Sequence, residues 1–163
     1  MTQPAWTPED TTLLIRTAIM CGISIALSKT DGNRATLNEL AAIAPHFLNT
    51  IRNSGNPFLK AAADESGAAE LRTLAEQFTT NPSTLKLQDI RPFAMRRCDE
   101  LAEVLAGKAT PEQAGEVKQA IIDTCQRVAE ESKDGSFLGF GGVRVSPQET
   151  AIIAEVRRAL KVA

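Results

Sequence analysis

Residues 7–32 read TPEDTTLLIRTAIMCGISIALSKTDG, and residues 110–135 read TPEQAGEVKQAIIDTCQRVAEESKDG. The two align without a gap at an offset of 103. Identities fall at Thr7/Thr110, Pro8/Pro111, Glu9/Glu112, Ile19/Ile122, Ala26/Ala129, Asp31/Asp134 and Gly32/Gly135. They mark both ends of the segment and two apolar positions inside it. Thr-Pro-Glu places a capping hydroxyl before a proline at the first helical position, with an acid in the first turn. Asp-Gly is a helix exit, because Gly adopts the left-handed C′ conformation at no steric cost. Each copy then runs on to a capping box, Thr36-Leu37-Asn38-Glu39 in the first and Ser146-Pro147-Gln148-Glu149 in the second. The unit is helix, Asp-Gly loop, capping box, helix, used twice. The second copy carries a Gly- and Phe-rich insertion.

The apolar spacing outside the repeat keeps the same period. Leu37, Leu40, Ala44, Phe47, Leu48 and Ile51 share one helical face, Val117, Ile121, Cys125 and Val128 a second, and Ile152, Ile153, Val156 and Leu160 a third. Helices are predicted over residues 8–29, 37–52, 57–65, 68–79, 84–106, 111–132 and 147–161. Gly67 is expected to part the third from the fourth, and Pro92 to break or kink the fifth. No segment alternates with period two, so no sheet is predicted. The fold class is all-α: about seven helices in one domain spanning residues 1–163, with the first and sixth helices packed centrally.

Composition bounds the function. At 163 residues the chain can bury a core without metal or disulfide staples. Its net charge of −2 lacks the basic field that non-specific nucleic-acid binding needs, so no nucleic acid is expected. Three Cys with no CxxC pair speak against a disulfide framework or a zinc knuckle. The N-terminus has no basic region followed by an apolar one, as a secretory signal would. The apolar run Leu13–Leu27 is short and carries Arg16, so it reads as a buried central helix rather than a membrane span. Together these point to the cytoplasm.

The paired loops admit two readings. In one they are helix punctuation, with Glu39 and Glu149 at the N3 position where a capping-box acid belongs. In the other, a two-fold repeat brings Asp31, Glu39, Asp134 and Glu149 together. Four carboxylates in one place repel one another unless a cation compensates. Oxygen ligands without His or Cys suit calcium, magnesium or manganese. Glu130 and Glu131 at a helix C-terminus oppose the helix dipole, which also asks for a compensating cation, a role Lys133 can fill.

An apolar helix followed by Ala-x-x-x-x-Asp-Gly, a short loop and an acid in the next helix, occurring twice, resembles the tellurite-resistance TerB-like family. The matching residues are Ala26, Asp31, Gly32 and Glu39, and then Ala129, Asp134, Gly135 and Glu149. The resemblance covers the first and last thirds of the chain. It implies an all-helical, pseudo-two-fold domain that is cytoplasmic and bacterial. It also implies acidic residues that chelate metal, and a role in tellurite or general stress response through partner proteins rather than catalysis. Asn33, Arg34 and Asn38 stand where the family pattern would have more acids.

Other constellations carry less. Phe137-Leu138-Gly139-Phe140-Gly141-Gly142 lacks the order and the preceding strand of a dinucleotide fingerprint. Phe137 and Phe140 on a flexible Gly arm either dock a partner, cover the acidic site, or fold back onto the core, and a homodimer stays open. His46, the only His, reads as a partly exposed surface residue, and Cys21 and Cys125 as small core residues. Arg91, Arg96 and Arg97 near Pro92, with Lys86 before them, form either an anion patch or a solvated face. No nucleophile elbow, zinc-protease or Walker motif occurs. The leading expectation is a non-enzymatic stress-response protein with a divalent-cation site. The alternative is a metal-free helical adaptor using residues 135–145. An enzyme using the carboxylates for hydrolysis is the third.

Overall fold

The computed structural model describes residues 4–28, 33–81, 84–131 and 145–162. Among them are seven helices and no strand: α1 (Pro8–Leu27), α2 (Asn33–Ile51), α3 (Pro57–Ala63), α4 (Glu65–Thr80), α5 (Leu87–Lys108), α6 (Pro111–Glu131) and α7 (Pro147–Ala159). The all-α reading holds, and each helix lies close to its predicted span.

Helix α1 is the axis of the bundle. It packs against all six other helices, most extensively against α5 and α6. Every residue from Thr17 to Ala26 is buried, so this stretch of the helix has no solvent face to make polar. By length and composition it could cross a membrane, yet most of it is buried against the rest of the bundle. Its buried hydroxyls are satisfied locally: Thr17 Oγ1 donates to Leu13 O at 2.6 Å and Ser24 Oγ to Met20 O at 3.0 Å. Gly22 lets α2 approach, since a Cβ there would lie 2.8 Å from Ile43 Cγ2. The repeat's shared apolar positions, Ile19, Ala26, Ile122 and Ala129, all lie in the core.

Capping follows the sequence at three starts. Thr7 and Asp10 form a capping box at α1, and Ser146 and Glu149 form one at α7. Thr110 and Gln113 exchange the same pair of bonds at the start of α6, at 3.0 and 3.2 Å. The fourth start differs. Helix α2 begins at Asn33, so Thr36 lies inside the first turn and Glu39 in the second. On α2, Leu40, Ala44, Phe47 and Ile51 are buried as expected, joined by Ile43, while Leu37 is exposed at the rim.

Two breaker assignments are refined. Pro92 does not break α5, which runs on through it from Leu87 to Lys108, and the missing amide hydrogen bond falls in the second turn. The boundary between α3 and α4 is made by Asp64, not Gly67. Asp64 ends α3 and caps α4, its Oδ1 accepting from Gly67 N at 2.8 Å. Gly67 stands within the first turn of α4, where a Cβ would lie 2.2 Å from Ala62 O. A side chain is excluded there because the two helices meet backbone to backbone.

Candidate functional site

The two glutamates of the repeat are both interior. Glu39 is 1% exposed and Glu149 is 0% exposed. On α2, Glu39 shares a face with Ile43 and Phe47, one and two turns on, so the packing that buries the apolar stripe buries the carboxylate too. It is not an N3 capping residue, because α2 starts too early for that. Glu149 does cap: its Oε1 accepts from Ser146 N at 3.2 Å, and Ser146 Oγ accepts from Glu149 N at 3.2 Å. A buried carboxylate is tolerated only where hydrogen bonds or opposite charge compensate its lost hydration. Helix α2 packs on both α1 and α6, and α7 packs on the same two helices.

Asp31 and Asp134 lie outside the described residues, as do Phe137 and Phe140 of the Gly/Phe insertion. Val145, at the end of that insertion, is half-buried against the core. Among the described residues, no group of three or more His, Cys, Asp or Glu side chains forms a metal-ion cage.

The acidic end of α6 is partly compensated from within the chain. His46 Nε2 lies 2.9 Å from Glu131 Oε2, joining α2 to the C-terminal turn of α6. Glu130 Oε1 accepts from Gln126 Nε2 at 3.1 Å. His46 is thus a partly exposed residue, as read from the sequence, with a structural partner the sequence did not show.

A third interior acid lies at the start of α1. Asp10 Oδ2 accepts from Lys108 Nζ at 2.5 Å and from Thr7 N at 2.8 Å. Burial works to raise its carboxyl pKa. The Lys108 hydrogen bond, the Thr7 amide and hydroxyl and the Lys108 charge outweigh that and hold it below the ordinary value. This pair ties the first turn of α1 to the last turn of α5.

The arginines near Pro92 are engaged within the fold. Arg91 donates from Nε and Nη2 to Glu155 Oε2 at 2.8 and 2.5 Å, fastening α5 to α7. Arg97 pairs with Glu100. The Arg96 and Arg97 guanidinium carbons stand 5.4 and 4.5 Å from the Phe93 ring centroid. Phe93 borders a groove of about 660 Å³ whose floor is α1, at Leu13 and Met20, and whose walls are α4, at Leu74 and Phe78, and α5. Neither Glu39 nor Glu149 lines it, so it offers no substrate cleft beside those carboxylates.

The three cysteines are free and fully buried. Cys21 on α1 and Cys98 on α5 bring their sulfurs to 3.3 Å. The neighbouring thiols of Cys125 and Cys98, with burial, push the Cys21 thiol pKa well above the ordinary value. Sequence reasoning placed Cys21 and Cys125 in the core but missed the meeting of Cys21 with Cys98. The two positions are far apart in the chain, and only the packing of α1 on α5 joins them.

No family model matches the chain, and no curated protein or solved structure matches it.

Proposed function

We propose that this is a non-enzymatic, TerB-like protein of the bacterial cytoplasm, acting in tellurite or general stress response. Its paired Asp-Gly loops hold a divalent cation through Asp31, Glu39, Asp134 and Glu149. The observation that carries this reading is the burial of both glutamates of the repeat, Glu39 at 1% and Glu149 at 0% exposure, on two helices that pack on the same pair, α1 with α6 for α2 and α6 with α1 for α7. The pairwise packing also supports a duplicated plan: α1 on α2 is matched by α6 on α7, and α2 on α6 by α7 on α1. An all-carboxylate set selects a hard cation, calcium, magnesium or manganese, over zinc or copper. Signalling rather than catalysis follows, with a protein partner, a second copy included, reading the loaded form.

The test is thermal unfolding of chelator-stripped protein with each cation. A cation at 100 times its dissociation constant, bound only by the folded form, stabilises by about 2.7 kcal/mol. The rise in midpoint is expected to vanish in Asp31→Ala and Asp134→Ala and to shrink in Glu39→Gln. A midpoint unmoved by all three cations would overturn the reading. The second reading is the metal-free helical adaptor that docks a partner through residues 135–145.

A further inference from the structure

Helix α1 makes its most extensive contact with α5. The two come close because the residues between them are small. On α5, Ala94, Cys98 and Ala102 recur every four residues, all buried, and so share one face. On α1, Ala18 and Cys21 are fully buried and one turn apart. Thr17 Oγ1 stands 3.5 Å from the carbonyl oxygen of Arg97, the residue before Cys98, so a side chain of α1 reaches the backbone of α5.

Inside this seam the sulfurs of Cys21 and Cys98 lie 3.3 Å apart, although the residues are 77 positions apart in the chain. Both side chains are 0% exposed and both thiols are free. A disulfide has its sulfurs about 2.05 Å apart and its Cα atoms within about 7 Å. The sulfurs therefore need to close by about 1.3 Å, which small side-chain rotations can supply. The close approach of the two backbones, shown by the Thr17 contact, meets the second requirement.

We propose that Cys21 and Cys98 are an oxidisable pair, converted by a peroxide into a disulfide that locks α1 to α5. The reaction is H₂O₂ + 2 RSH → RSSR + 2 H₂O. One sulfur attacks the peroxide, breaking the O–O bond and giving a sulfenic acid and water. The second sulfur displaces the sulfenic hydroxyl, which leaves as water with the second thiol proton. The two sulfurs lose two electrons and the two peroxide oxygens gain them. Burial and the neighbouring thiols hold Cys21 protonated, so the pair is slow to react while the seam is closed and reacts as it opens. In a reducing compartment the disulfide is a transient state, made under oxidant and undone by thiols. The lock is independent of the cation site.

The experiment treats the folded full-length chain with hydrogen peroxide at mildly alkaline pH, then denatures it and alkylates the remaining thiols. Trypsin places the three cysteines on separate peptides, so the linkage can be read directly. The pair predicts one alkylated thiol, at Cys125, and one linked peptide pair carrying Cys21 and Cys98. Closing so long a loop should raise the thermal midpoint by about 4–16 °C, and a thiol reductant should return it. Cys125→Ala should oxidise as the unaltered chain does, and Cys98→Ala should lose the linkage and the rise. Circular dichroism shows whether each variant is folded, and the peptide map of the unaltered chain decides the matter if one is not. Three alkylatable thiols after native oxidation would overturn the proposal. So would a linkage through Cys125, a linkage between two chains, or a disulfide formed only in denaturant.

Discussion

Replacing Gly67 by alanine sets two helix rules against each other. In an open helix, alanine stabilises relative to glycine by about 0.5–1 kcal/mol through backbone entropy. At Gly67 the added methyl would stand 2.2 Å from Ala62 O, 2.6 Å from Ala62 C and 3.0 Å from Ala61 O. Those are backbone atoms, so no rotamer change relieves the clash. Ala62 is fully buried, and α3 is anchored by Trp6, whose ring centroid lies 4.4 Å from that of Phe58. The α3–α4 junction must therefore open. Overpacking of this kind costs about 1–3 kcal/mol, more than the entropy gain. For a chain of this size each kcal/mol lowers the thermal midpoint by about 2–4 °C. The control is Gly115→Ala in α6, where a Cβ meets nothing within 4 Å and which should stabilise by about 0.5–1 kcal/mol. The assay is urea unfolding of both variants followed by circular dichroism, with unchanged slope showing that only stability moved. If Gly67→Ala matched or exceeded Gly115→Ala in stability, the backbone contact at the junction would be refuted.

Three further outcomes follow from the same geometry. Asn56→Ala should cost about 2 kcal/mol in chemical unfolding. The side chain both caps α3, accepting from Phe58 N and Leu59 N, and donates to Gln113 O and Glu116 Oε2. Asp10 has a lowered pKa when folded, so its stabilising contribution is complete above the unfolded carboxylate value of about 3.9. That contribution is lost as pH falls through the folded value. Unfolding measured against pH should therefore show an acid-side decline that is shallower in Asp10→Asn. Lys108→Met should destabilise by about 1.5–3 kcal/mol at neutral pH, because it strands a nearly buried carboxylate. A neutral result at pH 7 would mean that solvent already serves Asp10.

Helix existence was legible because it rests on local rules. Thr7-Pro8, Thr110-Pro111 and Ser146-Pro147 each write a cap followed by a proline, with an acid in the first turn, and all three starts are found as read. What was misread depended on approach between helices. Gly67 looked like punctuation because a glycine between two helical runs usually is. Its true role needs Ala62 O beside it, which no local pattern states. Thr36-Leu37-Asn38-Glu39 satisfied the capping-box pattern, yet α2 starts four residues before the Leu37 that pattern predicts, and a pattern match cannot tell a cap from a first turn. Of the candidate site, the burial of Glu39 and Glu149 follows from their spacing to Ile43 and to Ile152, and it was not drawn from the sequence. The pairing of His46 with Glu131 and the meeting of Cys21 with Cys98 join residues far apart in the chain. Such contacts become visible only once the helices are packed.

Anomalous scattering from crystals grown with manganese reads the proposed cation site itself. One strong peak is expected within ligand distance of the Glu39 and Glu149 carboxylates and of Asp31 and Asp134. Crystals in which manganese is absent from that place, with both glutamates bonded only to groups of the protein, would contradict it.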